Sequence, residues 1–92
     1  MIMVDEMRVW PHATGIFRRG SCHLTTTGVV SNLHEFALLI GLRRSWFQNG
    51  RVPHYDLTRE RRDTALINGA VFVPAKEQAR HRRSLKTPGG TT

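Results

Sequence analysis

The sequence contains a single cysteine, few acidic residues and no long apolar run, and each shortage excludes a class of protein. Because Cys22 stands alone, we expect no internal disulfide and no zinc site that needs two or more thiolates. We therefore expect a reducing, cytoplasmic environment. No apolar stretch is long enough to span a membrane, and the first residues lack the basic and apolar regions of a signal peptide. We expect no membrane association.

Several common catalytic and nucleotide-binding motifs are also missing. The sequence has no Walker loop, no G-x-G-x-x-G fingerprint, no G-x-S-x-G elbow and no H-E-x-x-H pair. These absences argue against the common nucleotide-binding and protease classes.

Positive charge dominates what is present. Fourteen Lys and Arg residues against seven Asp and Glu give a net charge of +7, and twelve of the fourteen are Arg. The planar guanidinium suits two-pronged contacts with phosphate, although a GC-rich genome also enriches Arg. The charge predicts a nucleotide or nucleic acid as partner.

The length of 92 residues predicts one domain with one core. We expect a small α/β fold, with a short, mostly three-stranded sheet and two to three helices packed on it. The strands are expected at residues 2–9, 21–27 and 70–73, the last of them buried, because these runs are apolar and end at Gly or Pro. The domain covers residues 1–83, and the polar residues 84–92 are expected to form a disordered tail.

Three helices follow from periodicity and from residues that favour helix ends. Leu33, Phe36, Ala37 and Ile40 follow helical spacing, with Ser31 or Asn32 as N-cap, Glu35 completing a capping box, and Gly41 ending the helix. A second helix is capped by Asp56 or Thr58 and ends at Asn68. Pro74 suits the first turn of a third helix, from Ala75 to about Arg83.

Eight short segments, in this order and spacing, resemble a known bacterial and phage family over residues 2–73. They are Val4–Met7, Cys22–Leu24, Leu33–Ala37, Ile40–Leu42, Trp46–Gln48, His54–Leu57, Arg62 with Ala65, and Gly69–Ala70. The family is a domain of unknown function, DUF4031. The resemblance implies a compact α/β fold and a preserved set of polar residues, with no known activity. Family members tend to have acidic residues where this chain has Thr26, Thr27 and Gly28.

The candidate catalytic residues are Asp5, His23, His54 and Asp56. In an extended chain, the side chains of His54 and Asp56 point to the same side. The imidazole and the carboxylate can then act as acid and base or bind a divalent metal ion together. The alternative is that Asp56 only caps a helix.

Asp5 and His23 join this set for a different reason. A carboxylate in an apolar strand needs a partner, either in a site at the strand end or in an ion pair with Arg62 or Arg8. On a strand, Cys22 and His23 face opposite sides; we expect Cys22 to be buried and inert and His23 to be available. We expect Asp5, His23, His54 and Asp56 to share one cleft.

The candidate ligand-binding residues are basic or aromatic. Trp46 or Tyr55 offers a stacking surface, although Trp46 and Phe47 also suit packing of their loop on the core. The basic run near the C-terminal end suits phosphate, although such runs are often solvated surfaces. The predicted phosphate contacts are Arg43, Arg44, Arg62, Arg80, Arg82 and Arg83.

Three functions remain open on these residues. The first is binding of a phosphate-bearing ligand, a nucleotide or nucleic acid, through Arg side chains around the His and Asp cluster. The second is a small phosphoester or nucleotide hydrolase that uses a divalent metal or acid–base catalysis. The third is a non-catalytic module that binds another protein through the loop at Trp46 and Phe47. A shared cleft favours the enzyme.

Overall fold

The fold is a four-stranded mixed sheet with helices on both sides. The computed structural model describes residues 1–90, with the side chains of residues 1–85. The sheet order is β3-β2-β1-β4, with β1 parallel to β4 and the other pairs antiparallel. The elements are β1 (Ile2–Val4), β2 (Cys22–Thr26), α1 (Val30–Leu39), β3 (Tyr55–Leu57), α2 (Arg59–Ile67), β4 (Val71–Phe72) and α3 (Ala75–Gly90), with 3-10 turns at Gly15–Phe17 and Arg44–Trp46.

Strand alternation divides the sheet into an apolar face and a polar face. The apolar face packs on α1 and α2 and forms the core. Its fully buried side chains are Val4, Cys22, Leu24, Leu33, Ala37, Tyr55, Leu57 and Ala65. The polar face holds Asp5, His23, Thr25 and Asp56, the positions between those core residues. Both the core and the candidate site are therefore built on β2, one of the two central strands of the sheet.

Helix α3 is joined to the polar face by side-chain hydrogen bonds. Thr25 Oγ1 donates to Gln78 Oε1 at 2.7 Å, and Gln78 Nε2 donates to the carbonyl of Val73 at 2.8 Å. Glu6 Oε1 accepts the backbone N–H of Ala75 at 2.9 Å, which satisfies a donor at the helix start. These bonds hold the start of α3 beside Asp5 and His23.

The expected α/β class is confirmed, and the sheet has one strand more than predicted. The additional strand is β3, which places Asp56 inside a strand, so its predicted capping role is wrong. Thr58 is the N-cap of α2, its hydroxyl accepting the N–H of Arg61 at 3.3 Å. The strand predicted at residues 70–73 is present but lies at the sheet edge, with Val71 and Phe72 about half exposed.

The first helix begins earlier than its predicted caps. Val29 is the N-cap of α1 and makes no side-chain capping bond, so Ser31 and Asn32 lie inside the helix and the predicted capping box is wrong. The end is as predicted: Gly41 follows with φ +87°. Arg61 Nη1 donates to the carbonyl of Ile40 at 2.6 Å and so satisfies the helix end.

Helix α3 continues to Gly90, beyond the predicted end near Arg83. Ser84 and Leu85 are helical with exposed side chains. Of the predicted tail, residues 91 and 92 lie outside the described residues, as do the side chains of residues 86–90. The boundary between domain and tail stays a prediction.

Candidate metal site

Asp5 is bonded to His23 at the end of the first strand. Because Val4, the last residue of β1, pairs with Leu24 in an antiparallel register, Asp5 lies beside His23. The Asp5 carboxylate, 4% exposed, accepts the His23 backbone N–H at 2.6 Å and contacts His23 Nδ1 at 2.7 Å. A carboxylate can only accept, so His23 carries its proton on Nδ1 and leaves Nε2 free. The desolvated carboxylate thus fixes the imidazole tautomer.

The predicted ion pair of Asp5 with Arg62 or Arg8 is not formed at the carboxylate. Arg62 Nε donates instead to the backbone carbonyl of Asp5 at 3.0 Å, and its guanidinium lies 5.3 Å from the Phe72 ring centroid. Arg8 lies 3.9 Å from Glu6. The carboxylate of Asp5 is therefore hydrogen-bonded to His23.

His54 and Asp56 are held in a matching way. His54 Nδ1 donates to the carbonyl of Val52 at 2.8 Å, so its Nε2 is free and lies 3.5 Å from Asp56 Oδ1. Gln48 Nε2 donates to the other oxygen, Asp56 Oδ2, at 2.5 Å. A backbone bridge between Gln48 and His54 fixes the loop that provides both residues.

The proximity of His54 and Asp56 changes the pKa of both. The side-chain hydrogen bond with Asp56 raises the pKa of His54, and the Val52 carbonyl adds to it, while partial burial opposes them. The same bond lowers the pKa of Asp56, helped by Gln48 and opposed by burial. Each residue therefore stabilises the charged form of the other.

Three side-chain atoms that can coordinate a metal ion converge on the polar face. His23 is opposite Asp56 in the β2–β3 register, and its Nε2 lies 4.0 Å from Asp56 Oδ1. The His23 and His54 rings meet edge to face with centroids 5.0 Å apart. One ligand atom from each of His23, His54 and Asp56 lies within 4.8 Å of the others. The four predicted residues therefore form one connected cluster, although Asp5 lines one recess beside it and Asp56 another.

The spacing of these atoms is close to that of a metal site. A tetrahedral ion with bonds near 2.0 Å separates its ligand atoms by roughly 3.3 Å. Two of the observed edges, 3.5 and 4.0 Å, are close to that value, and no two of the three atoms are more than 4.8 Å apart. In metal sites the ligating histidine donates its other ring N–H to a carboxylate or carbonyl, and both imidazoles here do so.

Two recesses meet at this cluster, and both are lined by His23 and His54. The helix recess, with a volume of about 300 Å³, lies toward α3 and includes Asp5, Gln78, Arg51 and Arg82. The loop recess, about 540 Å³, is formed mainly by the segment between β1 and β2 and includes Asp56 and the residues Trp10, His12, Phe17 and Gln48. The cluster is therefore open to ligands from two sides.

Most of the predicted ligand-binding residues lie elsewhere. Tyr55 is 1% exposed on the core face, where its hydroxyl bonds His34 Nδ1 at 2.8 Å, so the predicted stacking role is wrong. Arg43 and Arg44 lie over the rings of Trp46 and Phe47, at 5.8 and 5.0 Å. Neither Arg lines the helix recess or the loop recess, and Arg62 is placed beside Phe72.

The aromatic loop divides its two rings between surface and core. Trp46 is 45% exposed and lines a separate recess of about 360 Å³ that also includes Asp56 and Gln48. Phe47 packs against the core beside His34 and Tyr55. The predicted packing of this loop is thus made by Phe47, which leaves Trp46 at the surface.

Of the basic run on α3, Arg82 lines the helix recess. Arg80 pairs with Glu77 at 3.2 Å on the exposed side of the helix. Arg83 is also exposed. The three Arg residues that were predicted together therefore occupy different positions relative to the cluster.

Three residues of the site were not anticipated from the sequence. Gln48 orients Asp56, Arg51 lines the helix recess, and Gln78 is the buried link to α3. The Asn49-Gly50 turn beside Gln48 and Arg51 is visible in the sequence, but nothing in it indicates that the turn folds over β2.

Cys22 has no role at this site. It is 1% exposed on the core face, and burial raises the pKa of its thiol to about 12. The prediction of a buried, inert cysteine agrees with this position.

Among the described residues, no helix combines the length and apolar character needed to cross a membrane.

Fold and site together define a small α/β protein with a half-buried cluster of two histidines and one aspartate on the polar face of its sheet. The chain belongs to the family described as protein of unknown function (DUF4031), which matches residues 2–85. No curated protein and no solved structure matches the chain.

Proposed function

We propose that this protein binds one divalent metal ion through His23 Nε2, His54 Nε2 and Asp56 Oδ1 and hydrolyses a phosphoester there. The main support is that three donor atoms from separate side chains converge while each side chain is fixed by a further bond. Two imidazoles and one carboxylate favour a transition ion such as Zn²⁺ over Mg²⁺. Three protein ligands also leave a coordination position for water or substrate.

Such an ion lowers the pKa of a bound water to about 7 and polarises a phosphoryl oxygen. Arg51 and Arg82 line the helix recess, and in this proposal they bind the phosphate oxygens. Hydrolysis adds the water oxygen to phosphorus and breaks one P–O ester bond. The leaving alcohol takes a proton from the water.

The metal site is tested first, by calorimetric titration of the metal-free chain with Zn²⁺. We expect one ion per chain, and affinity at least tenfold weaker in His23→Ala, His54→Ala and Asp56→Asn. His34→Gln is the matched control, because His34 lies on the core face and a glutamine can still bond Tyr55. Unchanged affinity in all three site variants would overturn the metal site.

Hydrolysis is tested with chromogenic nitrophenyl phosphoesters and the chain loaded with Zn²⁺ or Mn²⁺. We expect turnover that chelation removes and metal restores. Arg51→Ala and Arg82→Ala should raise KM more than they lower kcat, because these side chains bind the phosphate. A loaded protein without turnover on any phosphoester would exclude the hydrolase.

Binding without cleavage is the second candidate function. The observation in its favour is the position of Arg51 and Arg82 beside a cleft on a chain of net charge +7. A nucleotide or nucleic acid bound there through its phosphate would contact the same Arg51 and Arg82 side chains. Either function fits a cytoplasmic protein, the compartment that we propose from the single buried cysteine.

A further inference from the structure

The position of the metal cluster between two recesses bears on the substrate. His23 and His54 line both the helix recess and the loop recess. A phosphate that reaches all three ligands therefore has space on two sides. A phosphomonoester has one organic group, which fills one side, whereas a phosphodiester has two.

The loop recess is suited to an aromatic group. Trp10, 40% exposed, meets the His23 ring edge to face at a centroid distance of 6.3 Å. Its indole N–H donates to Ser21 Oγ at 3.1 Å, which fixes the ring in this orientation. Phe17 and His12 add further rings, and no Lys or Arg stands among the described residues that line this recess. Flat aromatic faces of this kind stack nucleobases.

The helix recess is chemically different. Arg51 and Arg82 line it, and both also line an adjoining, mostly apolar hollow of about 400 Å³ near Met3 and Val73. The second organic group of a phosphodiester would contact Arg51 and Arg82 if it has a phosphate or polar group of its own. An apolar part of that group would extend into the hollow. The two sides of the cluster thus select different groups.

We infer that the substrate is a phosphodiester with a nucleobase-like ring on one arm, placed against Trp10, while the other arm lies beside Arg51 and Arg82. This inference rests on the proposed hydrolase function. Water adds to phosphorus, one of the two ester bonds breaks, and the leaving alcohol takes the proton. The products are a phosphomonoester and an alcohol.

The test compares two probes that share a leaving group, bis(4-nitrophenyl) phosphate and 4-nitrophenyl phosphate, with the metal-loaded full chain. We expect kcat/KM to be at least tenfold higher for the diester. Trp10→Ala should lower kcat/KM for the diester about tenfold, and Trp10→Phe should restore most of the loss.

Binding gives a readout that needs no turnover. A dinucleoside phosphorothioate, a slowly cleaved diester, should bind the loaded protein at least tenfold more tightly than a mononucleotide, and Trp10→Ala should weaken binding of the dinucleoside. Equal affinity for the two ligands, or equal or faster turnover of the monoester, overturns the diester inference and leaves the hydrolase in place. Absence of turnover on both probes overturns the hydrolase itself.

Discussion

Replacing Asp5 with Asn tests whether the buried carboxylate sets the proton position on His23. In the parent protein the Asp5 carboxylate accepts the backbone N–H of His23 at 2.6 Å, and the amide oxygen of Asn can still accept it. The amide NH₂ then faces Nδ1, which must accept instead of donate. The imidazole proton moves to Nε2, the atom directed at Asp56, and that nitrogen no longer has a lone pair for a metal.

The size of the effect follows from the role of Asp5 behind a metal ligand. Loss of such an orienting group weakens metal affinity about 10- to 100-fold, or roughly 1.4–2.7 kcal/mol. The metal-free fold should also lose about 1.5–3 kcal/mol, because a hydrogen bond to a buried charged group is removed. Calorimetry with Zn²⁺ measures the affinity, and long-range ¹H–¹⁵N NMR of the imidazole reports which nitrogen is protonated.

Asp63→Asn is the matched control, since Asp63 is exposed on α2. It should change neither the affinity nor the tautomer. If Asp5→Asn binds Zn²⁺ within twofold of the parent and keeps the His23 proton on Nδ1, the reasoning about Asp5 is refuted.

Three further predictions concern pH, stability and charge. Because the pKa of His54 is raised, its pairing with Asp56 stabilises the metal-free fold fully below the unfolded histidine pKa near 6.5 and is lost as pH rises through the folded pKa. Metal needs the neutral ring, so thermal stabilisation by Zn²⁺ should grow from about pH 6 to pH 8; the same increment at both would contradict this. Thr58→Ala should lower the free energy of unfolding by about 0.5–2 kcal/mol in urea melts, as expected for an N-cap, whereas Ser31→Ala should have little effect. Nucleic-acid binding, followed by fluorescence anisotropy, should be sequence-indifferent, fall steeply with salt and weaken on charge reversal at Arg80, Arg82 and Arg83; no binding at low salt would exclude it.

The sequence predicted the members of the cluster better than the strand that holds one of them. The alternation rule placed His54 and Asp56 on one side, and the cost of an unpaired carboxylate predicted a partner for Asp5. The same rule, applied to Tyr55, sends its side chain to the opposite face, where the structure buries it. The stacking role given to Tyr55 conflicted with information already in the sequence.

Strand β3 and the ligand-binding Arg residues could not be found in this way. The strand has only three residues and gains its pairing from Cys22–Leu24, far away in the chain, so its local pattern also fits a capping turn. Net charge likewise predicts a phosphate partner without indicating which Arg meets it. Arg51 lies at the site because its turn folds over the sheet, whereas Arg43 and Arg44 pack on neighbouring rings.

The pairing of His23 with Asp56 across β2 and β3 also bears on misfolding. A slip of one residue between these strands exchanges their faces, because side chains alternate with period two. Asp56 and His54 then turn toward the apolar core, and Tyr55 takes their place beside His23. Any misaligned form therefore loses both the core and the cluster at once, so metal capture by His23, His54 and Asp56 would report directly on the fraction of chains that have folded correctly.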